Sequence, residues 1–357
     1  MAYLNGDAVD VAAFAHAESE PIGFGQLRVA PDDFRVEELC DVDLSGEGEH
    51  VWLWIEKTGL STPQAVERLA AALGVAVRDI GYSGLKDRHS VTRQWFSLTW
   101  PIKQELPVWP VDEDFRVLEA RRHDRKLRRG THRANRFNIV VRNVSGLDAA
   151  AFDASVARVG RDGVPNYFGP QRFGHGGRNI ELSHALFSGR RLSRGRRSFA
   201  LSAARSLIFN AVLDARLRAG AWPEPLAGDV FMLAGSRSVF AAADTDELWG
   251  SLIERAASGD IEPTGPMPGR QRASAVQPAA AAAEIENRVL AEFSAFCEGL
   301  ERFGVDAERR PLRLPVSDLA ASIDAADIRL SFTLSAGAFA TSVIREFVRV
   351  EDVAGRG

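Results

Sequence analysis

A single hydrophobic core stops growing well before a chain of 357 residues is used up, so two domains are the default expectation for this sequence. Its 45% hydrophobic and 26% charged residues are ordinary for a globular protein, so neither half is starved of core. Cys40 and Cys297 are far apart and in no metal-like spacing. Two isolated thiols make no disulfide framework, and the chain reads as a resident of a reducing compartment. Met1 to Ala17 holds a short apolar stretch but carries Asp7 and Asp10 and no basic lead, so no secretory leader is expected. No apolar run approaches a membrane span. A soluble, cytoplasmic protein is expected.

Local patterns place the first elements. Phe34 to Glu38 follows the turn Pro31-Asp32-Asp33 and reads as a strand. His50 to Lys57 alternates Val51, Leu53 and Ile55 against Trp52 and Trp54, another strand. Ser61-Thr62-Pro63 is a helix start, Val66, Leu69, Ala70 and Leu73 its apolar stripe, and Gly74 its stop. Asp79 to Tyr82, Arg93 to Thr99, Phe137 to Val144 and Ile328 to Leu334 read as further strands. Leu201 to Leu217 and Ile285 to Phe303 read as helices, Pro263 to Ala283 as a loop, and Phe339 to Val350 as helical.

The net charge of −4 hides two basic runs, residues 121–136 and 190–197. Local basic surface on an otherwise acidic protein suits contact with a polyanion; solvated loops are the alternative. Arg125, Lys126, Arg128 and Arg129 in the first run, and Arg190, Arg191, Arg194, Arg196 and Arg197 in the second, are the candidate RNA-backbone contacts.

Three segments mix glycine, charge and aromatics where a core element would be uniform. In Gly81 to His89, Asp87 stands between Lys86 and Arg88, where a positive field would keep it ionised and fit to act as nucleophile or base. An exposed charged turn is the other reading. In Gly130 to Phe137, Asn135 and Phe137 share one face of a strand, a hydrogen-bonding amide beside a stacking ring, as a nucleobase reader or a buried ring with a polar neighbour. His132 reads as a phosphate contact or a surface residue, and no histidine has ligand spacing, so no metal is expected. Pro165 to Gly174 is either a structural corner packed by Tyr167, Phe168 and Phe173 or the lining of a cleft.

At these residues the chain resembles the TruD family of tRNA pseudouridine synthases. The resemblance rests on Gly84 to Thr92 with Gln94-Trp95, on Asn135 with Phe137, and on Val164 to Gly169 and Arg172-Phe173-Gly174. Leu201 to Ser206, Asn210, and Ala336-Gly337 with Phe339 to Val343 continue it in order. It implies an α/β (α+β) fold: a catalytic domain with a mixed, largely antiparallel sheet, residues 1–162 plus 314–357, split by an inserted α/β TRUD domain, residues 163–313. It implies Asp87 as the catalytic aspartate, Phe34, Asn135 and Phe339 as substrate contacts, and Phe137 as an active-site aromatic. Arg28 falls where the family often has lysine near the aspartate. The implied reaction isomerises a uridine of tRNA, usually at position thirteen, to pseudouridine without cofactor or metal. Other structured RNAs stay open as substrates, and no obligate protein partner or membrane is implied. The rival readings are a non-catalytic RNA-binding or RNA-chaperone protein that keeps the fold, and an aspartate-dependent glycosidase or nucleosidase, which would usually need a second carboxylate as proton donor. Glu37 and Glu38 are the nearest candidates for that role.

Overall fold

The computed structural model describes residues 4–5, 8–18, 20–21, 23–241 and 246–356. The chain divides into two compact units. One comprises 22–160, 316–340 and 347–357; the other takes 161–315 together with 341–346 and the described part of the first 21 residues. The described part of the N-terminal segment and Thr341–Glu346 thus group by contact with the middle of the chain, whereas the division implied by the resemblance, 1–162 plus 314–357, places them with the catalytic domain.

The first unit is built on an eleven-stranded sheet. Its strands are β1 (Phe24–Leu27), β2 (Phe34–Leu39), β3 (His50–Thr58), β4 (Gly81–Tyr82), β5 (Val91–Thr99), β6 (Val111–Asp112), β7 (Phe115–His123), β8 (Ala134–Ser145), β9 (Ser317–Asp324), β10 (Asp327–Ser335) and β11 (Arg349–Asp352). The main path runs β9-β10-β8-β2-β5-β3-β7-β6, with β1 on β8, β11 on β1 and β4 on β5. Pairing is antiparallel except β2 with β5 and β11 with β1. Helix α1 (Thr62–Leu73) covers one face. Ser61 caps it, its hydroxyl accepting the Gln64 N–H while its own N–H donates to Gln64 Oε1, and Gly74 ends it at φ 65°. Val66, Leu69 and Ala70 close on Val51, Leu53, Ile55, Phe96 and Leu98 to form the core of this layer.

Lys57 continues the inward alternation of Val51, Leu53 and Ile55, and it is buried with them at 1% exposure. Its Nζ donates to Leu60 O at 2.5 Å. Burial, and then the Lys86 charge, push its pKa down to about 8, while Asp87 pulls it up.

The second unit packs the helix Arg194–Arg218 against a four-stranded sheet of 239–241, 230–233, 261–267 and 308–311. Two expectations fail here. Ile261–Met267 is a strand despite Pro263 and Pro266, because its partner changes midway, from Leu233–Phe231 to Pro311–Glu308. The helix expected over Ile285 to Phe303 is two, Ala280–Glu292 and Ser294–Arg302, parted at Phe293 (φ −109°, ψ 23°). Within the span Phe339 to Val350, helix is confined to Ala340–Ile344, and Arg349–Asp352 becomes a strand because the open edge of β1 is there to pair with it. In the segment Pro165 to Gly174, Tyr167, Phe168 and Phe173 are buried, and Asn210 both accepts from Phe168 N and donates to Phe168 O.

Candidate active site

Asp87 lies between β4 and β5, on a segment tied down at nearly every turn. Ser83 Oγ is 2.6 Å from His132 Nδ1, and Gly84 O accepts from Gln94 Nε2 at 3.1 Å. Lys86 N donates to Thr62 Oγ1, which donates in turn to Gln94 Oε1. Ser90 Oγ donates to Asp87 O at 2.8 Å. Lys86 itself turns inward: its Nζ is 2.8 Å from Glu38 Oε2, with the two side chains 5% and 0% exposed. Glu38 also accepts the Trp95 N–H. His132 is buried against this pair rather than on the surface, and burial and the Lys86 charge hold its imidazole below the usual range.

The neighbours of Asp87 in sequence therefore do not pair with it. Lys86 faces Glu38, and Arg88 Nε donates to Gly59 O. Among the described residues the cation that forms an ion pair with Asp87 is Arg28, whose Nη2 is 3.2 Å from Asp87 Oδ2, while its Nη1 holds Asp352 Oδ2 at 2.9 Å. The Asp87 side chain is 64% exposed, so one side is gripped and the other is open. Arg28 has left-handed backbone, φ 59°, a strain of order 1 kcal/mol that a side chain with a site to reach can justify. Its guanidinium lies 4.4 Å from the centroid of the Phe34 ring.

Register gathers the rest. Ile139 of β8 faces Phe34, and Phe137 faces Val36 on one side and Phe332 on the other. Phe34 meets Phe137 edge-on at 6.3 Å, and Phe137 stacks on Phe332 at 5.4 Å. Asn135, on the same face as Phe137, is 8% exposed, and its Oδ1 is buried with no hydrogen-bond partner among the described residues. Phe339 is half-buried just beyond the end of β10, where Ser335 pairs with Ala134, and so leaves the sheet at the end that carries Asn135. Arg28, Asp87, Phe34 and Phe137 thus touch one another in a continuous series. Asp352 and Lys57 escaped sequence reading, although the alternation Leu53, Ile55, Lys57 carried the signal for the latter.

The basic run 121–136 is only partly free. Arg122 donates to the carbonyls of Gly48, Trp100, Pro101 and Gln104, a purely structural set. Arg121 pairs with Glu119, Arg125 with Asp124, Arg133 with Asp41 and Arg136 with Glu37. Lys126 donates to Arg78 O, and Arg129 lies 3.9 Å over the Tyr82 ring. Arg128 is exposed, as are Arg190, Arg191, Arg194, Arg196 and Arg197, and none of these six has a side-chain ion pair among the described residues. Nor do those residues include any group of three or more His, Cys, Asp or Glu side chains placed to hold a metal ion. No described helix is long and apolar enough to cross a membrane.

The site thus gathers an exposed carboxylate gripped on one side by an arginine, a row of aromatic rings and a buried amide oxygen without a partner among the described residues. Comparison with known proteins narrows the reading. Residues 11–189 and 182–347 match the family described as tRNA pseudouridine synthase D (TruD). The chain is 44% identical over 332 residues to the tRNA pseudouridine synthase D of Methylococcus capsulatus, covering 92% of each. It is 41% identical over 360 residues to that of Nitrosococcus oceani, covering 99% of this chain and 98% of the relative. A solved structure from Methanosarcina mazei that bears the TruD name matches its fold with a TM-score of 0.74, over 94% of this chain and 95% of that one, at 21% identity. The chain belongs to the TruD family of tRNA pseudouridine synthases.

Proposed function

We propose that this protein converts a uridine of tRNA, at position thirteen, to pseudouridine, with Asp87 as its catalytic carboxylate. One observation carries the reading: Asp87 is held by Arg28 through Oδ2 alone, and the same guanidinium lies over the Phe34 ring, which meets Phe137 edge-on. The reaction breaks the bond from ribose C1′ to uracil N1, turns the base and joins C1′ to C5; C5 loses a proton and N1 gains one. A stacked uridine must leave its helix first, and aromatic surface can receive it. The N3–H of uracil is the donor that the buried Asn135 Oδ1 lacks. Attack on ribose, attack on the base and removal of a ribose proton all call for the Asp87 oxygen that Arg28 leaves open.

Phe339 is assigned to the same pocket, and Arg28 to holding Asp87. Arg125, Lys126, Arg128 and Arg129 on one unit, and Arg190, Arg191, Arg194, Arg196 and Arg197 on the other, are assigned to RNA phosphates. The span 163–313 is taken as the inserted domain. Action on tRNA suits a cytoplasmic protein, with other structured RNAs as further candidate substrates. A glycosidase is disfavoured, since Glu38 is sealed against Lys86 and Glu37 lies within 3.9 Å of both Arg93 and Arg136. Asp87→Asn is expected to abolish conversion, read by mass spectrometry of the RNA, while tRNA affinity stays within a few-fold of wild type. Normal turnover by the purified variant would refute the catalytic assignment; absence of conversion by the wild type would favour the non-catalytic RNA-binding alternative.

A further inference from the structure

In the unit formed mainly by 161–315, three buried arginines face carboxylates. Arg216 holds Asp229 at 2.5 Å, Arg309 holds Glu286 at 2.5 Å, and Arg313 holds Glu262 at 2.8 Å. Arg310 differs. Its Nη2 donates to Asn166 Oδ1 at 2.6 Å, its guanidinium lies 4.2 Å from the Phe168 ring centroid and 5.5 Å from that of Phe209, and no carboxylate among the described residues pairs with it. Its Nε is buried and has no acceptor among those residues. Arg172 also lies over Phe168, at 5.2 Å, adding a second positive charge. Burial, and then Arg172, push the pKa of Arg310 down to about 10, so at neutral pH it is a half-buried cation without an ion pair among the described residues. Such a group is costly to bury and attracts an anion strongly.

Arg310 and Phe168 form part of the wall of a cavity of about 1140 Å³ that is also lined by Met232, Pro266, Met267 and the exposed Ser274, and by Asp306 and Glu308, whose carboxylates pair with Arg270, Arg272 and Arg205. That volume is ample for a nucleotide. We propose that this cavity is a binding site for a phosphate-bearing ligand, its phosphate on Arg310 and its apolar portion against Met232, Pro266 and Met267. The phosphate can come from RNA or from a free nucleotide. The Phe168–Arg310–Phe209 stack holds the guanidinium in place before the ligand arrives, which lowers the cost of binding.

The test is isothermal titration of the full chain with inorganic phosphate and with uridine 5′-monophosphate. Wild type should bind both saturably, the nucleotide more tightly. Arg310→Met should weaken binding by roughly ten- to a hundredfold, the equivalent of a charge-assisted hydrogen bond. Ser274→Glu, at an exposed position where folding is not at stake, should weaken it several-fold by repulsion and carries the test if Arg310→Met does not fold. Displacement of the nucleotide by tRNA would identify RNA as the source, and simultaneous binding would identify a free nucleotide; both support the site. No saturable binding by wild type, or wild-type affinity in both variants, overturns it. Conversion of uridine by the wild type tests the catalytic reading separately.

Discussion

Removing the Lys86 ammonium should damage both stability and catalysis, and the two effects should separate in a double variant. In Lys86→Met the Glu38 carboxylate, 0% exposed, loses the partner 2.8 Å away. What remains is one Trp95 N–H at 3.4 Å and the His132 ring at 4.0 Å, which is held toward its neutral form. Breaking a buried ion pair from one side costs about 3–5 kcal/mol, because the surviving charge is stranded. At about 2–4 °C per kcal/mol for a unit of this size, the melting temperature should fall by roughly 6–20 °C. Lys86→Met combined with Glu38→Leu should recover most of the stability, because an apolar replacement of a buried pair is often close to neutral. Turnover should not recover, since Asp87 is the next residue and the double variant still lacks its inward anchor. Thermal unfolding gives the first quantity and single-turnover conversion at saturating protein the second. A single-variant loss below about 1 kcal/mol would refute the buried-pair argument. Recovery of turnover in the double variant would refute the positioning role.

Lys57 predicts an unusual alkaline trend. Its folded pKa, about 8, lies below the ordinary 10.5, so between those values the unfolded chain binds more protons and stability should rise with pH, by up to about 3 kcal/mol. Urea unfolding from pH 7.5 to 10.5 should show this rise in wild type and not in Lys57→Met; equal slopes would remove Lys57 as its source. Phe34→Leu and Phe339→Leu keep apolar bulk but lose the ring, so conversion should fall about tenfold or more while stability changes by only about 1–2 kcal/mol. Collapse of both together would mean these rings serve packing alone. Changing Arg190, Arg191, Arg194, Arg196 and Arg197 to Gln should weaken tRNA binding and flatten its logarithmic salt dependence by about 1 for each phosphate no longer neutralised. The Arg125, Lys126, Arg128 and Arg129 set should behave likewise, with Arg128 the largest contributor because its side chain alone of the four lacks a partner among the described residues. Unchanged slopes in both sets would place the RNA on another surface.

The elements legible in the sequence are those whose causes lie within a few residues of themselves. Ser61, Pro63 and Gly74 bound α1 because capping needs only near neighbours, and the alternation in His50–Thr58 marks β3 because side-chain direction in a strand is a local property. The segments around Asp87 and Asn135 stood out as local mixtures of glycine, charge and aromatics for the same reason, whereas Phe339 entered only through the family resemblance. What those segments do to one another was not legible. Residues beside Asp87 suggested its cations, yet the chain turns Lys86 to Glu38 and brings Arg28 from 59 positions away, because β2 lies parallel beside β5 and β1 lies on β8. Local reading likewise made Phe339 to Val350 helical and Pro263 to Ala283 a loop; open sheet edges at Phe24–Leu27 and Phe231–Leu233 claimed parts of both as strands. A strand edge or a buried counter-ion contributed from a distant part of the chain can outweigh local preference by more than propensity differs between residues, and that contribution exists only once the tertiary fold has formed.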